Sequence, residues 1–161
     1  MFGRPGGSLK LKPKKSVAAI AREKVEGPLL DIGFSLWDVR YEKEGKDQNL
    51  VFELEKNGGV TFDDLGRANA VIDEIVEKAD LIPGSYFLEV SSAGLTRLLR
   101  TPEHFAAAAK SGWQVEIKLF TPSDGAKSHA GKITFIGGDY IMLDSVKINK
   151  NNIAKARAVL G

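Results

Sequence analysis

The sequence predicts an α+β protein built from two different modules. The first is a two-helix, three-stranded α/β module in the order helix-strand-strand-helix-strand, and the second is a five-stranded small β-barrel of the SH3 or Sm-like kind. Apolar residues follow helical and two-residue spacings in turn up to residue 90, whereas the period is two from Trp113 onward. The charge also changes sign, because residues 16–90 carry eight basic and sixteen acidic side chains and residues 91–161 carry ten and five.

Composition sets the class of protein before any element is assigned. A length of 161 residues allows one ordinary domain or two small ones. With 43% hydrophobic and 27% charged residues, the chain resembles soluble globular proteins. It contains no cysteine, which excludes disulfides and thiolate metal sites. It has no signal-peptide core and no run of about 20 apolar residues, so a cytoplasmic location is expected.

Residues 1–15 are predicted to form a flexible basic tail. They contain five basic residues, no acidic residue, and several glycines and prolines. Termini of this composition are usually disordered. A basic arm that folds onto RNA is the alternative.

The first module, residues 16–92, begins with a helix. Ser16 is the predicted N-cap, and apolar residues recur behind it at helical spacing. Gly27-Pro28 are predicted to interrupt or kink this helix, because proline clashes with the preceding turn. Gly33 is predicted to end it in a left-handed conformation. The apolar face consists of Val17, Ile20, Ala21, Val25 and Leu29.

A β-hairpin is predicted to follow the first helix. Residues 34–43 and 50–55 alternate with period two and are joined by the polar stretch 44–47. Strict alternation assigns Trp37, Val39 and Tyr41 to one face of the first strand, and Leu36, Asp38 and Arg40 to the other.

A second helix is predicted to begin at Thr61. Thr61 and Asp64 have the spacing of a capping box, and acidic residues suit the positive end of the helix dipole. Asp63 and Asp64 are therefore assigned to capping rather than to a catalytic pair, because adjacent helical residues point in different directions. Pro83-Gly84 then turn the chain into a strand that ends at Val90.

The two modules are predicted to be joined by a hinge and a short helix over residues 93–112. Ser91 to Gly94 are predicted to break the preceding strand, because serine side chains bond to nearby backbone and glycine accepts positive φ. Thr101-Pro102 begin the short helix, which ends at Gly112.

The barrel is predicted over residues 113–161. Five short apolar stretches alternate with turn residues, which favours a small sheet that curls to protect its edges. The periodicity does not separate SH3, Sm and OB topologies. The stretches are Val115 to Leu119, Ile133 to Phe135, Tyr140 to Leu143, Val146 to Ile148 and Ile153 to Val159.

The junction also carries a family resemblance, in the sequence Leu88-Glu89-Val90-Ser91-Ser92-x-Gly94-Leu95-x-Arg97-x-Leu99. This run resembles the mid-chain motif of the RimP family of bacterial ribosome maturation factors. Ala93 and Leu98 stand where that family commonly has proline, and Thr96 stands where it commonly has aspartate. The stretch Gly58 to Asp64 resembles the family's turn before its second helix, with Leu65 where cysteine is frequent.

The resemblance implies a non-catalytic, chaperone-like protein that assists assembly of the small (30S) ribosomal subunit. It implies an SH3-like second domain, and binding to the immature subunit and to its ribosomal protein number twelve, chiefly through the barrel. A monomer without cofactors is expected.

The inventory of catalytic groups agrees with a protein that is not an enzyme. His104 and His129 are the two imidazoles, and neither belongs to a spacing typical of a metal site. Ser91-Ser92 lack the Gly-x-Ser-x-Gly pattern of a nucleophile elbow. No catalytic residue, metal site or cofactor is therefore predicted.

Binding surfaces are predicted from charge. Each basic side chain taken singly is equally consistent with an ordinary solvated surface. Together they predict contacts with a partner or with RNA, and the candidates are Arg97, Arg100, Lys118, Lys127, Lys132, Lys147 and Lys150, with Lys155 and Arg157 on the same module. Two functions remain open: an assembly factor that bridges a basic ribosomal protein and rRNA, and a free-standing RNA-binding regulator.

Overall fold

The computed structural model of the protein describes residues 15–160, so residues 1–14 of the predicted basic tail lie outside the described residues. The chain divides into two compact units, the first ending at Ser92 and the second beginning at Ala93. Helices and strands occur in the described part of both units. The predicted α+β class is confirmed.

The first unit contains two helices and one mixed sheet. Its elements are α1 (Val17–Asp31), β1 (Ser35–Glu44), β2 (Asp47–Glu55), α2 (Phe62–Ala79) and β3 (Phe87–Ser92). Strand β2 lies in the centre, antiparallel to β1 and parallel to β3. Helix α2 makes the crossover that a parallel pair requires.

Helix α1 begins and ends as its sequence predicts. The Ser16 hydroxyl accepts a hydrogen bond from the Ala19 N–H at 3.1 Å. At the other end, the N–H of Phe34 donates to the Leu29 carbonyl at 2.9 Å, and the N–H of Gly33 donates to the Leu30 carbonyl at 3.0 Å. Gly33 has φ +92°, and this pair of bonds around it is a Schellman motif.

Of the interruption or kink predicted at Gly27-Pro28, the interruption is wrong, because α1 runs through Pro28 without a break. Proline removes one helical N–H, which would otherwise bond to the carbonyl of Lys24. Both residues lie on the exposed side of the helix, where water can hydrogen-bond to that carbonyl.

A β-bulge in β1 overturns the predicted assignment of its faces. The register pairs Leu36 with Leu54 and Asp38 with Glu53, so Trp37 is an extra residue on β1. The insertion reverses the alternation, and Leu36 therefore joins Val39 in the core under the helices. Strict period-two counting had placed them on opposite faces.

The core of the first unit lies between the helices and one face of the sheet. Its largest fully buried side chains are Leu29, Phe34, Leu50, Phe52, Leu54 and Ile72. Burial of side chains of this size stabilises a fold by roughly 1.5–3 kcal/mol each.

The second unit contains one helix, seven strands and a single 3-10 turn within the described residues. Its elements are β4 (Thr96–Leu98), α3 (Pro102–Ser111), β5 (Gln114–Ser123), β6 (Ala126–Gly131), β7 (Ile133–Ile136), β8 (Tyr140–Leu143), β9 (Val146–Asn149), the turn Lys150–Asn152 and β10 (Ile153–Val159). The strands form two antiparallel sheets, ordered β4-β10-β5-β6 and β7-β8-β9.

The predicted count of five strands from residue 113 onward is therefore too low, because the described residues contain six strands there. Strand β6 lies between the first and second of the predicted strands and lacks apolar alternation, but its backbone pairs with β5. Asp124 (φ +53°) and Gly125 (φ +84°) form the tight turn between them. The ladders of the described residues give two sheets and not one closed ring, so the SH3-like barrel is not established.

The predicted break after Val90 is also wrong. Strand β3 continues through Ser92, because its parallel ladder pairs Ser91 with Glu53 and Ser92 with Leu54. The chain turns afterwards at Gly94, which has φ +76°. Residues 93–112, predicted as a hinge and short helix, contain β4 and α3, and both belong to the second unit.

Candidate functional site

The motif residues of β3 divide between the core and the surface. Leu88 and Val90 pack against the core of the first unit. Glu89 is exposed between them, as period-two alternation requires. The first half of the motif therefore completes a sheet, and Glu89 is the side chain that it offers to solvent.

Arg97 shapes the turn that follows the motif strand. Its Nε and Nη2 atoms donate to the Gly94 carbonyl at 3.0 and 2.6 Å. Its guanidinium lies 5.4 Å from the ring centre of Trp113, a cation–π distance, and the residue is 8% exposed. The Arg97 guanidinium thus binds groups of its own unit. Little of its side chain is exposed for the predicted contact with a partner.

The other residues of the motif region in the second unit lie in or next to β4, at the edge of the four-stranded sheet. The Leu95 carbonyl accepts a hydrogen bond from the Leu160 N–H at 2.7 Å, while the Leu95 side chain is exposed. Leu98, at a variable position of the motif, pairs with Arg157 at the edge strand β4. Leu99 is buried.

His104 has a structural role at the start of α3. Its Nδ1 atom accepts the backbone N–H of Arg100 at 2.9 Å and that of Thr101 at 3.3 Å. The Thr101 hydroxyl accepts the His104 N–H at 3.2 Å, which completes a capping box with histidine in the place of an acid. The residue is 3% exposed.

His129 closes the β5–β6 hairpin. Its Nε2 atom lies 2.8 Å from the Ser123 carbonyl oxygen and 3.1 Å from that of Ala126. Two carbonyl acceptors require this nitrogen to carry the proton. Both imidazoles therefore support turns in the second unit.

Lys118 and Lys155 form a pair of positive charges on the larger sheet. They are directly opposed in the β5–β10 ladder, so their side chains lie on the same exposed face. Neither has an ion pair in residues 15–160. Arg157, two ladder pairs further along and on the same face, is 3.3 Å from Glu116 and is partly neutralised.

The smaller sheet carries aromatic side chains with a lysine on its outer face. The Lys147 Nζ lies 4.6 Å from the ring centre of Tyr140. The rings of Tyr140 and Phe135 are 5.6 Å apart with an angle of 36° between their planes. We call Phe135, Tyr140, Met142 and Lys147 the aromatic face.

The other predicted contact residues are exposed but dispersed. Lys127 lies in β6 near the hairpin turn, Lys132 between β6 and β7, and Lys150 at the start of the 3-10 turn. Arg100 precedes α3 and is also exposed. The structure thus brings Lys118 together with Lys155, and Lys147 together with aromatic rings, but does not gather all the basic residues into one site.

A cleft of about 380 Å³ in the second unit was not predicted from the sequence. Its lining is mostly apolar, with Lys150 and Lys155 among the polar residues. Residues from α3, β7, β8 and β10 contribute, and the lining extends from Leu99 to Ala156 along the chain. No local pattern signals such a cleft, because it forms only where distant elements meet.

The first unit presents acidic groups, of which Asp64 is the best anchored. Its carboxylate accepts the Thr61 N–H at 2.9 Å and lies 2.9 Å from Arg67 and 3.1 Å from Lys56. The backbone hydrogen bond from Thr61, followed by those from Arg67 and Lys56, holds the pKa of Asp64 well below its usual range. The predicted capping box is confirmed.

A second acidic group surrounds the end of α2. Burial, followed by the negative charges of Asp73, Glu77 and Asp80, raises the pKa of Tyr86. These three acids have no ion pair in the described residues. They lie at the C-terminal half of a helix, where the dipole favours cations.

In the described range, no three His, Asp or Glu side chains come close enough together to hold a metal ion. No helix of residues 15–160 combines the length and the apolar character needed to cross a membrane.

A comparison with protein-family models identifies a domain in the first unit. The model of the RimP N-terminal domain matches residues 24–96. The matched range runs from α1 through the sheet of the first unit and includes the motif strand β3. Residues 24–96 thus match the N-terminal domain of the RimP family, the family that the motif predicted.

Proposed function

We propose that the protein is a non-catalytic factor that assists assembly of the small (30S) ribosomal subunit. It binds transiently to the immature subunit and to a basic small-subunit ribosomal protein. The observation that carries the proposal is the RimP N-terminal domain at residues 24–96, joined to a second unit of opposite charge. The proposed location is the cytoplasm.

The acidic first unit suits a basic protein. Residues 16–90 have twice as many acidic as basic side chains, and phosphate groups are repelled by such a surface. Asp73, Glu77 and Asp80 remain without ion pairs within the described residues, so they are available to lysines and arginines of a partner.

The basic second unit suits ribosomal RNA or an acidic surface of the immature subunit. Lys118 and Lys155 project from the same face, and neither forms an ion pair within the described chain. Like charges held opposite each other on a sheet are unfavourable by themselves. A phosphate group between them would remove that repulsion and release counterions.

The engagement of both histidines supports a binding role. His104 and His129 already bond to backbone groups of their own turns. A general base has to reach the substrate proton that it abstracts. In this arrangement the bonded nitrogens are used to hold the fold.

A free-standing RNA-binding regulator is the alternative function. The Lys118–Lys155 pair favours it, because such a pair binds phosphate with or without a ribosome. The two functions differ in whether an isolated ribosomal protein is also bound.

Sedimentation through a density gradient tests the proposal. The full-length protein is expected to travel with immature small subunits and not with mature ones. The double variant Lys118→Glu/Lys155→Glu is expected to lose this association, whereas Lys43→Glu/Lys46→Glu, in the hairpin of the acidic unit, should retain it. Sedimentation with mature subunits alone would contradict an assembly role.

Titration against purified partners separates the two functions. The assembly factor is expected to bind a basic small-subunit ribosomal protein, with an affinity that falls as salt is raised. Tight binding of naked rRNA together with no binding of any ribosomal protein would favour the regulator.

A further inference from the structure

The aromatic face lies on the side of the smaller sheet that points away from the buried core. Ile141 and Ile148 are paired across β8 and β9 and are both buried, so they define the inner side. The next ladder pair, Met142 with Lys147, lies on the opposite side. Phe135 pairs with Met142 from β7. An aromatic ring, a thioether and an ammonium group thus form one row across all three strands.

The two rings of this face approach each other because of a glycine. Gly137 lies in the turn between β7 and β8, where its N–H donates to the Tyr140 carbonyl at 2.8 Å. A Cβ atom at position 137 would lie 3.1 Å from Phe135 Cε2 and 3.2 Å from Tyr140 Cε1. A side chain there would press on both rings, so this turn is shaped to allow the pair.

The ring pair remains accessible to a ligand. Phe135 is 51% exposed, which is a large fraction for phenylalanine, and Tyr140 is half-buried. An exposed aromatic surface of this kind contributes little to folding, since it leaves apolar area in water. An exposed ring pair beside a turn that leaves room for it is typical of a binding surface.

Positive charge flanks the rings. Lys147 lies over Tyr140, and Lys132 precedes β7; neither side chain has an ion pair among the described residues. The acidic residues nearby, Asp139 and Asp144, lie in the turns at the ends of β8. The Asp144 carboxylate accepts the Lys132 backbone N–H at 3.2 Å. The row across the strands therefore carries positive charge alone.

We propose that the aromatic face binds single-stranded RNA by stacking unpaired bases on Phe135 and Tyr140. Lysines beside the rings suit the phosphates that accompany stacked bases. Bases in a duplex are already stacked on one another and do not present their faces to side chains. The proposal rests on the proposed function, which supplies the RNA in the form of unpaired segments of an immature subunit.

Fluorescence anisotropy of the full-length protein tests this inference. The probes are a labelled single-stranded RNA of about ten nucleotides, within the usual range of site sizes, and a duplex RNA of the same length. The natural protein is expected to bind the single strand more tightly than the duplex. Phe135→Leu keeps an apolar side chain but removes the ring, and it is expected to weaken binding about tenfold.

Two control variants define the role of the ring. Phe135→Trp keeps a stacking surface and should retain the affinity. Phe62→Ala removes a phenylalanine that is 89% exposed in the acidic unit, and it should change nothing. Thermal unfolding of each variant shows whether the fold is retained; if Phe135→Leu unfolds, Tyr140→Leu serves in its place.

Three results would overturn the inference. These are equal affinity for duplex and single strand, unchanged affinity of a folded Phe135→Leu variant, and binding of a protein partner that Phe135→Leu abolishes while RNA binding persists. Gradient sedimentation distinguishes this failure from that of the proposed function. A protein that travels with immature subunits but binds no single-stranded RNA retains the assembly role and loses the stacking site.

Discussion

Asp64 shows how one side chain can join a cap to an ion-pair network. It completes the capping box with Thr61, and its two oxygens also accept from Lys56 and Arg67. The spacing of Thr61 and Asp64 predicts the cap from sequence. The pair with Lys56 is not predictable in that way, because Lys56 precedes the helix and its position depends on how β2 ends.

We expect Asp64→Asn to lower the midpoint of thermal unfolding, on the order of 5 °C near neutral pH. Asparagine retains an oxygen for the Thr61 N–H but loses both charge interactions. Asp63→Asn is the matched control, because this neighbour is exposed and has no ion pair in the described chain. Circular dichroism melts of the two variants and the natural protein give the comparison.

The lowered pKa of Asp64 predicts that the stability of the protein depends on pH. The pKa of Asp64 is lower in the folded state than in the unfolded state, where it is about 3.9. Its contribution to stability is therefore complete above about pH 4 and is lost as the pH falls further. The natural protein should lose stability more steeply than Asp64→Asn below about pH 4. Parallel curves would contradict the assignment.

At the scale of elements, Pro28 destabilises α1 without breaking it. The helix continues through it, yet the carbonyl of Lys24 loses its helical partner. We expect Pro28→Ala to raise the free energy of unfolding by about 2 kcal/mol, since alanine restores the bond and suits a helix interior. Pro102→Ala, at the first position of α3, should change little, because that N–H is unpaired in any helix.

Urea denaturation followed by far-UV circular dichroism measures both proline variants. A destabilised Pro28→Ala protein would show that the proline ring itself stabilises α1. In that case the exposed position of Pro28 would not explain why the helix continues.

Helix ends were predictable because capping side chains determine them. A strand that is held only by backbone hydrogen bonds to its neighbour was not predictable. The caps of α1 and α2 follow from Ser16, Gly33 and Thr61. Strand β6 was missed because its side chains are small or polar and only its ladder with β5 makes it a strand. Asp124-Gly125 was the available signal, since this dipeptide favours a two-residue hairpin turn.

The bulge at Trp37 was not predictable from alternation. A β-bulge depends on which residue of β2 each residue of β1 opposes, and a period-two pattern contains no information about that register. The number of sheets in the second unit was also not predictable from the sequence. It depends on which strand edges meet, and several pairings of the same short strands satisfy the same pattern.

At the scale of the whole molecule, the separation of charge was predictable and its arrangement was not. Counting residues gives an acidic first unit and a basic second one. The direct opposition of Lys118 and Lys155 requires the register of β5 with β10, and the aromatic face requires that of three strands. The candidate residues could thus be named from the sequence, but which of them lie side by side could not be predicted.

Lys118 and Lys155, which repel each other across the sheet, are expected to lower the stability of the fold while they favour the proposed binding to immature subunits. We expect Lys155→Thr to raise the free energy of unfolding by about 0.5 kcal/mol, because it removes a like-charge pair from the sheet. The same change should reduce sedimentation with immature subunits. Lys43→Thr is the control, since Lys43 lies on β1 opposite the neutral Gln48 and should show neither effect. A Lys155→Thr protein that is less stable than the natural one would argue against repulsion at this pair.

The parallel pairing of β2 with β3 also sets the order in which the chain can fold as it is synthesised. The β1–β2 hairpin is local, but Asn49 of β2 meets Phe87 of β3 only after α2 has been made. Non-local pairs of this kind form late, and nascent chains fold from the N-terminus. Until the family motif leaves the ribosome, β2 keeps an open edge that can pair with other chains. The strand that identifies the family is therefore also the one whose synthesis ends that exposure.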